Sequence, residues 1–240
     1  MRRVACASFA AAAFVMTLSL ANTARADLID KSVGIKAMAG GSLWTTPSDR
    51  PGDYEGIGFA GNGGGFSYGG GLYAEIRFIK VLSLEIDALY DKSVLMRNVD
   101  YGPSVKVQEK IDITSWRFPI LAKANLPTPF GRLFVLLGPE FVRGSSADPS
   151  LEVTEGTATI VGDPIRAESA NYTMITGGLG LTIDLPPSLE IPLELRGSKN
   201  MGQEDKWLDR VAVDSANQTY TVDAQTSWDF RVSAGLGYRF

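Results

Sequence analysis

Acidic and basic residues alternate at short spacings in this 240-residue sequence, and such carboxylates could take part in acid–base catalysis. A carboxylate pair such as Glu85 with Asp87 or Glu75 could act as general acid and general base. The sequence contains no His. Because Ser-His-Asp and Cys-His nucleophiles and His-ligated metals all need that residue, those chemistries are excluded. The other interpretation is that the carboxylates neutralise nearby cations, and we predict no catalytic, cofactor-binding or metal-binding residue.

Eight charged residues occupy every-second-residue positions on one side of extended segments. They are Glu75, Arg77, Glu85, Asp87, Glu194, Arg196, Asp229 and Arg231. Side chains two residues apart on a strand point to the same face, and charges removed from water need partners of opposite sign. We therefore predict that these eight residues form ion pairs inside the protein, with Lys123 as a further partner. Arg77 can reach Glu85 directly or diagonally across the first hairpin, but the sequence does not fix the register, so the individual pairings stay open.

Apolar residues alternate with these charges. From Trp228 to Phe240 every second residue is apolar, and the residues between them are small or charged. Apolar residues recur at every second position in seven upstream segments as well: 33–45, 66–78, 82–91, 110–124, 132–143, 175–185 and 189–196. The segments 110–124 and 132–143 are more apolar on both faces, and Lys36 and Trp44 are interior candidates in the first segment. The pattern predicts eight strands.

The connections between the segments alternate in length. Short connections are expected near 79–81, 125–130 and 186–188, and long polar ones near 46–65, 92–109, 144–170 and 198–225. Three short turns on one side and four long loops on the other are typical of an up-and-down barrel that crosses an outer membrane. Segments of this length can span a bilayer when tilted, because about 9–11 residues suffice.

A soluble, lipocalin-like barrel is the alternative fold, and it would turn the apolar face inward. The charged face is the narrower one, since Gly and Ser are interleaved with its charges. Such a face suits the crowded interior of an eight-stranded barrel. Aromatic residues also recur near the segment ends, as at Phe78, Tyr90 and Trp228, where a membrane barrel has its girdles. The pattern therefore favours lipid outside.

The first 26 residues have the composition of a signal peptide. Arg2 and Arg3 precede an apolar stretch over 4–20, and Ala24-Arg25-Ala26 forms an A-x-A site. We predict cleavage after Ala26, export, and a single domain over 27–240. The rest of the chain has no apolar run of 18 residues, and its excess of acidic residues argues against a nucleic-acid partner.

Three stretches of sequence carry a family resemblance: W-R-F-P-I-L-A-K (Trp116–Lys123), F-V-L-L-G-P-E-F (Phe134–Phe141) and A-G-L-G-Y-R-F (Ala234–Phe240). With them, residues 27–240 resemble the outer-membrane β-barrel domain family, the small barrels similar to the outer membrane protein A transmembrane domain and outer membrane protein X. The resemblance implies an all-β, eight-stranded antiparallel up-and-down transmembrane β-barrel surrounded by outer-membrane lipid. It also implies that the barrel-assembly machinery recognises Tyr238 and Phe240.

Two prolines depart from a regular barrel. Pro119 and Pro192 lie inside predicted strands, where proline removes a donor from the hydrogen-bond ladder. A closed barrel has no edge strand to hold them. The resemblance accommodates Pro119, whereas Pro192 is expected to need a bulge or a later start of its strand.

The lumen of an eight-stranded barrel is just wide enough for side chains to fill, so free diffusion of solutes is not expected. Loops on a rigid scaffold are where binding residues usually lie. The sequence predicts a non-enzymatic structural component of the bacterial envelope that presents extracellular loops for adhesion or for a partner. The alternative is a narrow or gated channel for ions or small solutes.

Overall fold

The computed structural model describes residues 29–44, 63–78, 81–100, 106–155, 165–202, 220–224 and 226–240. Ten strands lie in these ranges: β1 (Ile29–Trp44), β2 (Gly63–Phe78), β3 (Leu82–Asp100), β4 (Lys106–Thr128), β5 (Gly131–Glu155), β6 (Ile165–Ser169), β7 (Tyr172–Leu185), β8 (Leu189–Asn200), β9 (Tyr220–Ala224) and β10 (Trp228–Arg239). Within the same ranges no helix has the length and hydrophobicity to cross a membrane. The predicted signal peptide and most of the predicted loop 46–65 lie outside the described residues.

Eight of the strands form one closed antiparallel barrel in the order β1-β10-β8-β7-β5-β4-β3-β2. The barrel closes between its first and last strands, which pair from Ser32↔Arg239 to Leu43↔Trp228. The predicted eight-stranded up-and-down barrel is therefore confirmed. We call the end at which β1 starts and β10 stops the terminal end, and the opposite end the loop end.

The barrel has reversed polarity, with charge inside and hydrocarbon outside. Arg77, Glu85 and Arg117 are at most 1% exposed, whereas Leu137 and Val232 are more than 60% exposed. A soluble barrel would show the opposite arrangement. The soluble, lipocalin-like alternative is therefore wrong, because the large apolar face needs an apolar surrounding.

Three strands continue past the barrel wall at the loop end. β3, β4 and β5 contain 19, 23 and 25 residues. Their paired segments 93–100, 106–115 and 144–155 are here called the β3–β5 extension. Most of these residues were predicted to lie in long loops, and that prediction was wrong. In the extension the buried apolar residues Leu95, Ile111 and Ile113 lie on the face that continues the barrel interior, so the apolar alternation of the wall changes phase there.

A second, smaller sheet lies in regions that were also expected to be loops. β6 and β9 pair in parallel, from Ile165↔Tyr220 to Ser169↔Ala224. These strands have five residues each and are far apart in the sequence. Such short, distant segments give no local pattern by which a parallel pair could be predicted.

Both prolines are accommodated without a change of register. Pro192 pairs with Thr182 of β7, but the β8–β10 ladder has no residue pairs between Ala234↔Leu193 and Gly237↔Glu190. The register is the same on both sides of this gap, and β8 already begins at Leu189. The expected bulge or later start was therefore wrong, because the barrel simply leaves out the bonds that proline cannot donate. Pro119 lies beside a similar gap in the β3–β4 ladder.

Candidate functional site: the ion-paired interior and the loop end

The middle of the barrel interior contains a cluster of charged side chains from four strands. This central cluster consists of Lys36, Glu85, Asp87, Lys123, Glu194 and Arg196, all of them buried. Lys36 Nζ lies 2.9 Å from Glu85 Oε1 and 3.1 Å from Glu194 Oε2. Lys123 Nζ lies 2.6 Å from Glu85 Oε2 and 2.9 Å from Glu194 Oε1. Because the same two carboxylates accept from both lysines, the cluster connects opposite walls of the barrel.

A second cluster lies nearer the loop end and joins five other buried side chains. Arg117 Nε is 2.9 Å from Asp91 Oδ2, and Arg117 Nη1 is 2.7 Å from Glu140 Oε1. Arg231 Nη2 is 2.8 Å from Asp229 Oδ2, which also lies 2.9 Å from Arg117 Nη1. Two guanidinium groups thus hold three carboxylates together in this loop-end cluster.

A third cluster closes the interior towards the terminal end. Arg77 Nε lies 2.9 Å from Glu75 Oε1, and the same guanidinium also binds Glu190. Arg132 Nη2 lies 3.0 Å from Glu190 Oε2. Lys123 of the central cluster is 3.6 Å from Glu75 Oε2, which connects the two clusters. Ion pairs therefore follow one another along most of the interior.

All eight residues predicted to form ion pairs point into the interior. Their exposed fractions lie between 0% and 6%. The register decides the pairings that the sequence left open. Arg77 lies opposite Ser83 in the β2–β3 register, and Glu75 lies opposite Glu85. Arg77 binds Glu75 and, across the lumen, Glu190.

Five further residues of the network were not among the predicted ones: Asp91, Arg117, Arg132, Glu140 and Glu190. Asp91 and Glu190 continue the spacing of predicted residues and could have been found by extending the alternation. The other three lie in the two segments whose faces were both apolar. There the interior is itself partly apolar, since Leu121, Phe134 and Leu136 are buried together. This apolar sector hid the charged positions beside it.

Tyr73 lies across the seam at which the barrel closes. It projects from β2 and is 3% exposed. A Cβ atom at Gly34 of β1 or Gly237 of β10 would collide with the tyrosine ring. Its hydroxyl donates to Glu190 Oε1 at 3.3 Å, on the next strand, β8. Glycine is therefore required at these places so that one aromatic ring can cover the first and last strands.

Aromatic side chains form pairs on the outer surface near both ends of the barrel. At the loop end, the ring centroids of Tyr90 and Trp116 are 5.4 Å apart, and those of Trp228 and Phe230 are 6.3 Å apart. At the terminal end, the rings of Tyr238 and Phe240 are 6.4 Å apart. Exposed aliphatic residues lie between the two bands: Ile35, Leu72, Leu137, Leu179, Leu195 and Val232. Two aromatic girdles around an aliphatic belt are the surface of a membrane-spanning barrel.

The chain end proposed as an assembly signal belongs to the closing strand. Phe240 N donates to Lys31 O at 2.9 Å, and Phe240 O accepts from Lys31 N at 3.2 Å. Tyr238 is 53% exposed on the outer surface. The two aromatic residues are thus accessible from the lipid side at the end of β10. Their recognition by an assembly factor stays a prediction.

One edge of the β3–β5 extension has no partner among the strands of the barrel. β7 pairs with β5 only from Gly131 to Val142, although β5 continues to Glu155. A register shift between Thr114 and Ser115 marks the place where the extension leaves the wall. Beyond it, within the described strands, β5 pairs with no barrel strand, and β6 packs beside this edge instead.

Comparisons with known proteins concern the fold. No family model matches the sequence, and no curated protein matches it. The outer membrane protein OprG from Pseudomonas aeruginosa has 11% identity and a TM-score of 0.41 over 88% of this chain and 95% of that chain. Neisserial surface protein A has 14% identity and a TM-score of 0.38 over 88% and 97%. The N-terminal β-barrel domain of OprF from Pseudomonas aeruginosa has 14% identity and a TM-score of 0.37 over 87% and 97%. The chain has the closed eight-stranded antiparallel barrel fold of small outer-membrane barrels.

Proposed function

We propose that the protein is a non-enzymatic barrel of the bacterial outer membrane that presents its loop end, outside the cell, to a binding partner. The observation that carries this proposal is the β3–β5 extension, which rises from a barrel whose interior is filled. A filled interior favours a scaffold, and strands that continue beyond the membrane place structure where a partner can reach it.

The interior argues against the alternative function of a channel. In each of the three clusters, side chains from different walls meet at hydrogen-bond distance, as Arg196 Nη1 and Asp87 Oδ2 do at 2.7 Å. Opening a path would separate buried charges. Breaking a buried ion pair costs about 3–5 kcal/mol, and several pairs would have to open together. We therefore expect little conductance.

The extension supports binding through its exposed polar surface. The edge of β5 beyond Val142 is already occupied, because β6 packs beside it and Gly144 N donates to Asn171 Oδ1. The outer surface of the extension is polar, and Lys110 and Asp112 form an exposed ion pair there. We infer that the partner is a protein outside the cell that contacts this polar surface.

Trimming the extension tests the function. Met96 pairs with Lys110, so residues 97–109 can be replaced by a two-residue turn without a change of register. The matched control keeps the length of the extension and replaces Lys110 and Asp112 by Gln and Asn. Cells that carry the trimmed protein should lose adhesion to host-cell surfaces or to one another, whereas cells that carry the control should retain it. The heat-dependent shift of the folded band on gels shows that both barrels are assembled.

Two results would contradict the proposal. One is full adhesion by the trimmed protein at wild-type abundance. The other is large, steady conductance of the wild-type barrel in planar bilayers, which would favour the channel.

A further inference from the structure

A cleft lies on the outer surface where β7 begins. β7 starts at Tyr172, and the residues that lead into it from β6 lie against Gly144 of β5. The cleft has a volume of about 280 Å³. It is lined by Phe141, Val142, Arg143, Asn171, Tyr172, Thr173, Met201 and Gly202.

The walls of the cleft combine a cation with apolar surface. Phe141 is 40% exposed and Met201 is 66% exposed. None of the lining residues is acidic, and Arg143 is exposed and has no carboxylate partner in the described part of the chain. Asn171 Oδ1 accepts from Gly144 N at 3.1 Å, which leaves the side-chain NH₂ group as a donor. The cleft therefore offers positive charge and donors above a hydrophobic floor.

The cation of the cleft lies at the loop-end girdle. Arg143 pairs across the β4–β5 ladder with Trp116. Lys199 of β8 does not line the cleft, and its Nζ lies over the Trp228 ring of β10, 5.4 Å from the ring centroid. Arg143 therefore lies beside an aromatic residue of the girdle, at the level where lipid headgroups meet acyl chains.

We propose that this cleft binds the phosphate-bearing headgroup of a membrane lipid, with Arg143 on the phosphate. The proposal rests on the membrane placement given above. Guanidinium groups bind phosphate oxygens through two parallel hydrogen bonds. Below the cleft, Leu137 and Leu179 are 61% and 58% exposed and give an acyl chain an apolar path along the wall. Charge and apolar surface are therefore placed as they are in an anionic lipid.

Fluorescence quenching by brominated lipids tests the site. Trp116 serves as the reporter in a variant in which the tryptophans at positions 44, 207 and 228 are Phe. The barrel is placed in phosphatidylcholine vesicles that contain increasing fractions of brominated phosphatidylglycerol. In the protein with the wild-type cleft, brominated phosphatidylglycerol should quench Trp116 more strongly than the same fraction of brominated phosphatidylcholine, and the ratio of the two gives the preference. Arg143→Gln should lower this preference about fivefold, the effect of one basic residue near an anionic surface.

Lys92→Gln is the matched control. Lys92 follows the outward-facing Tyr90 by two residues on the other side of Trp116, and it does not line the cleft. An equal loss of preference in Lys92→Gln and Arg143→Gln would overturn the proposal, because general surface charge would then explain it. Loss of the preference on addition of inorganic phosphate would also overturn it, in favour of a free anion. If no brominated lipid quenches Trp116 in the folded barrel, the membrane placement itself is wrong.

Discussion

The barrel wall and the β3–β5 extension belong to the same strands, yet they differ in what holds them together. Inside the wall, buried charges meet in clusters, and the outer surface is hydrocarbon. In the extension, the ion pair between Lys110 and Asp112 is 40% and 47% exposed. The difference follows from the surroundings. A barrel in lipid has to place every charge inside and pair it, whereas strands in water can leave charges solvated.

The largest effect is expected at the chain end, where the wall is completed. Phe240→Asp should prevent assembly, because an assembly factor would no longer recognise the closing strand. The protein should then be degraded in the periplasm, and the folded band should disappear from unheated gels of the membrane fraction.

Phe130→Asp is the control for this prediction. Phe130 is also an exposed aromatic residue at the terminal end, 59% exposed, but it lies in the turn between β4 and β5. If both variants reach the membrane equally well, Phe240 is an interfacial aromatic residue and no signal.

Breaking the central cluster should have the next largest effect. Glu85→Gln removes the carboxylate that binds Lys36, Lys123 and Arg196 at 2.6–2.9 Å. The lysines would remain buried with fewer partners, and such a loss costs about 3–5 kcal/mol. Urea unfolding from lipid vesicles measures the change in the free energy of unfolding. The substitution of an exposed carboxylate, Asp112→Asn, should change it far less.

A substitution at the seam beneath Tyr73 should lower the free energy of unfolding by an intermediate amount. Gly237→Ala places a methyl group against the tyrosine ring and should cost about 1–3 kcal/mol, the usual range for overpacking. Gly202→Ala is the control, because nothing lies within 4 Å of a Cβ at that position. Equal unfolding curves for the two variants would show that the ring is not held tightly over the seam.

The same contrast between wall and extension explains how much of the fold could be read from the sequence. In the wall, each residue faces either lipid or a crowded polar lumen, so alternation alone predicted the eight strands and the inward direction of residues such as Glu194. In the extension, Leu95, Ile111 and Ile113 are buried on the face that continues the interior, so the apolar alternation is out of phase with that of the wall and covers only a few residues. The strands there continue because their partners in the ladder continue, and no single segment contains that information.

The ion-pair partners could be predicted only in part, for a related reason. Alternation indicates which side chains point inward, but the register of neighbouring strands decides which of them meet. A contact between Arg77 and Glu85 was possible because the two lie on one hairpin, but the sequence left the individual pairings open. In the closed barrel, β8 brings Glu190 across the lumen to Arg77. Closure is a property of the whole chain, so the contacts that depend on it are absent from any local pattern.

Breaking the exposed ion pair of the extension should change the free energy of unfolding least. This pair tests most directly whether burial makes the ion pairs of the wall stronger than those of the extension. Lys110 Nζ lies 2.9 Å from Asp112 Oδ2, a distance like those inside the barrel. Water screens this pair, so a double-mutant cycle with Lys110→Gln and Asp112→Asn should give a coupling energy of about 0.2–1 kcal/mol. Urea unfolding of the four proteins measures it. A coupling of the size expected for Glu85 would mean that geometry, and not burial, determines the strength of these pairs, and the contrast between wall and extension would then be wrong.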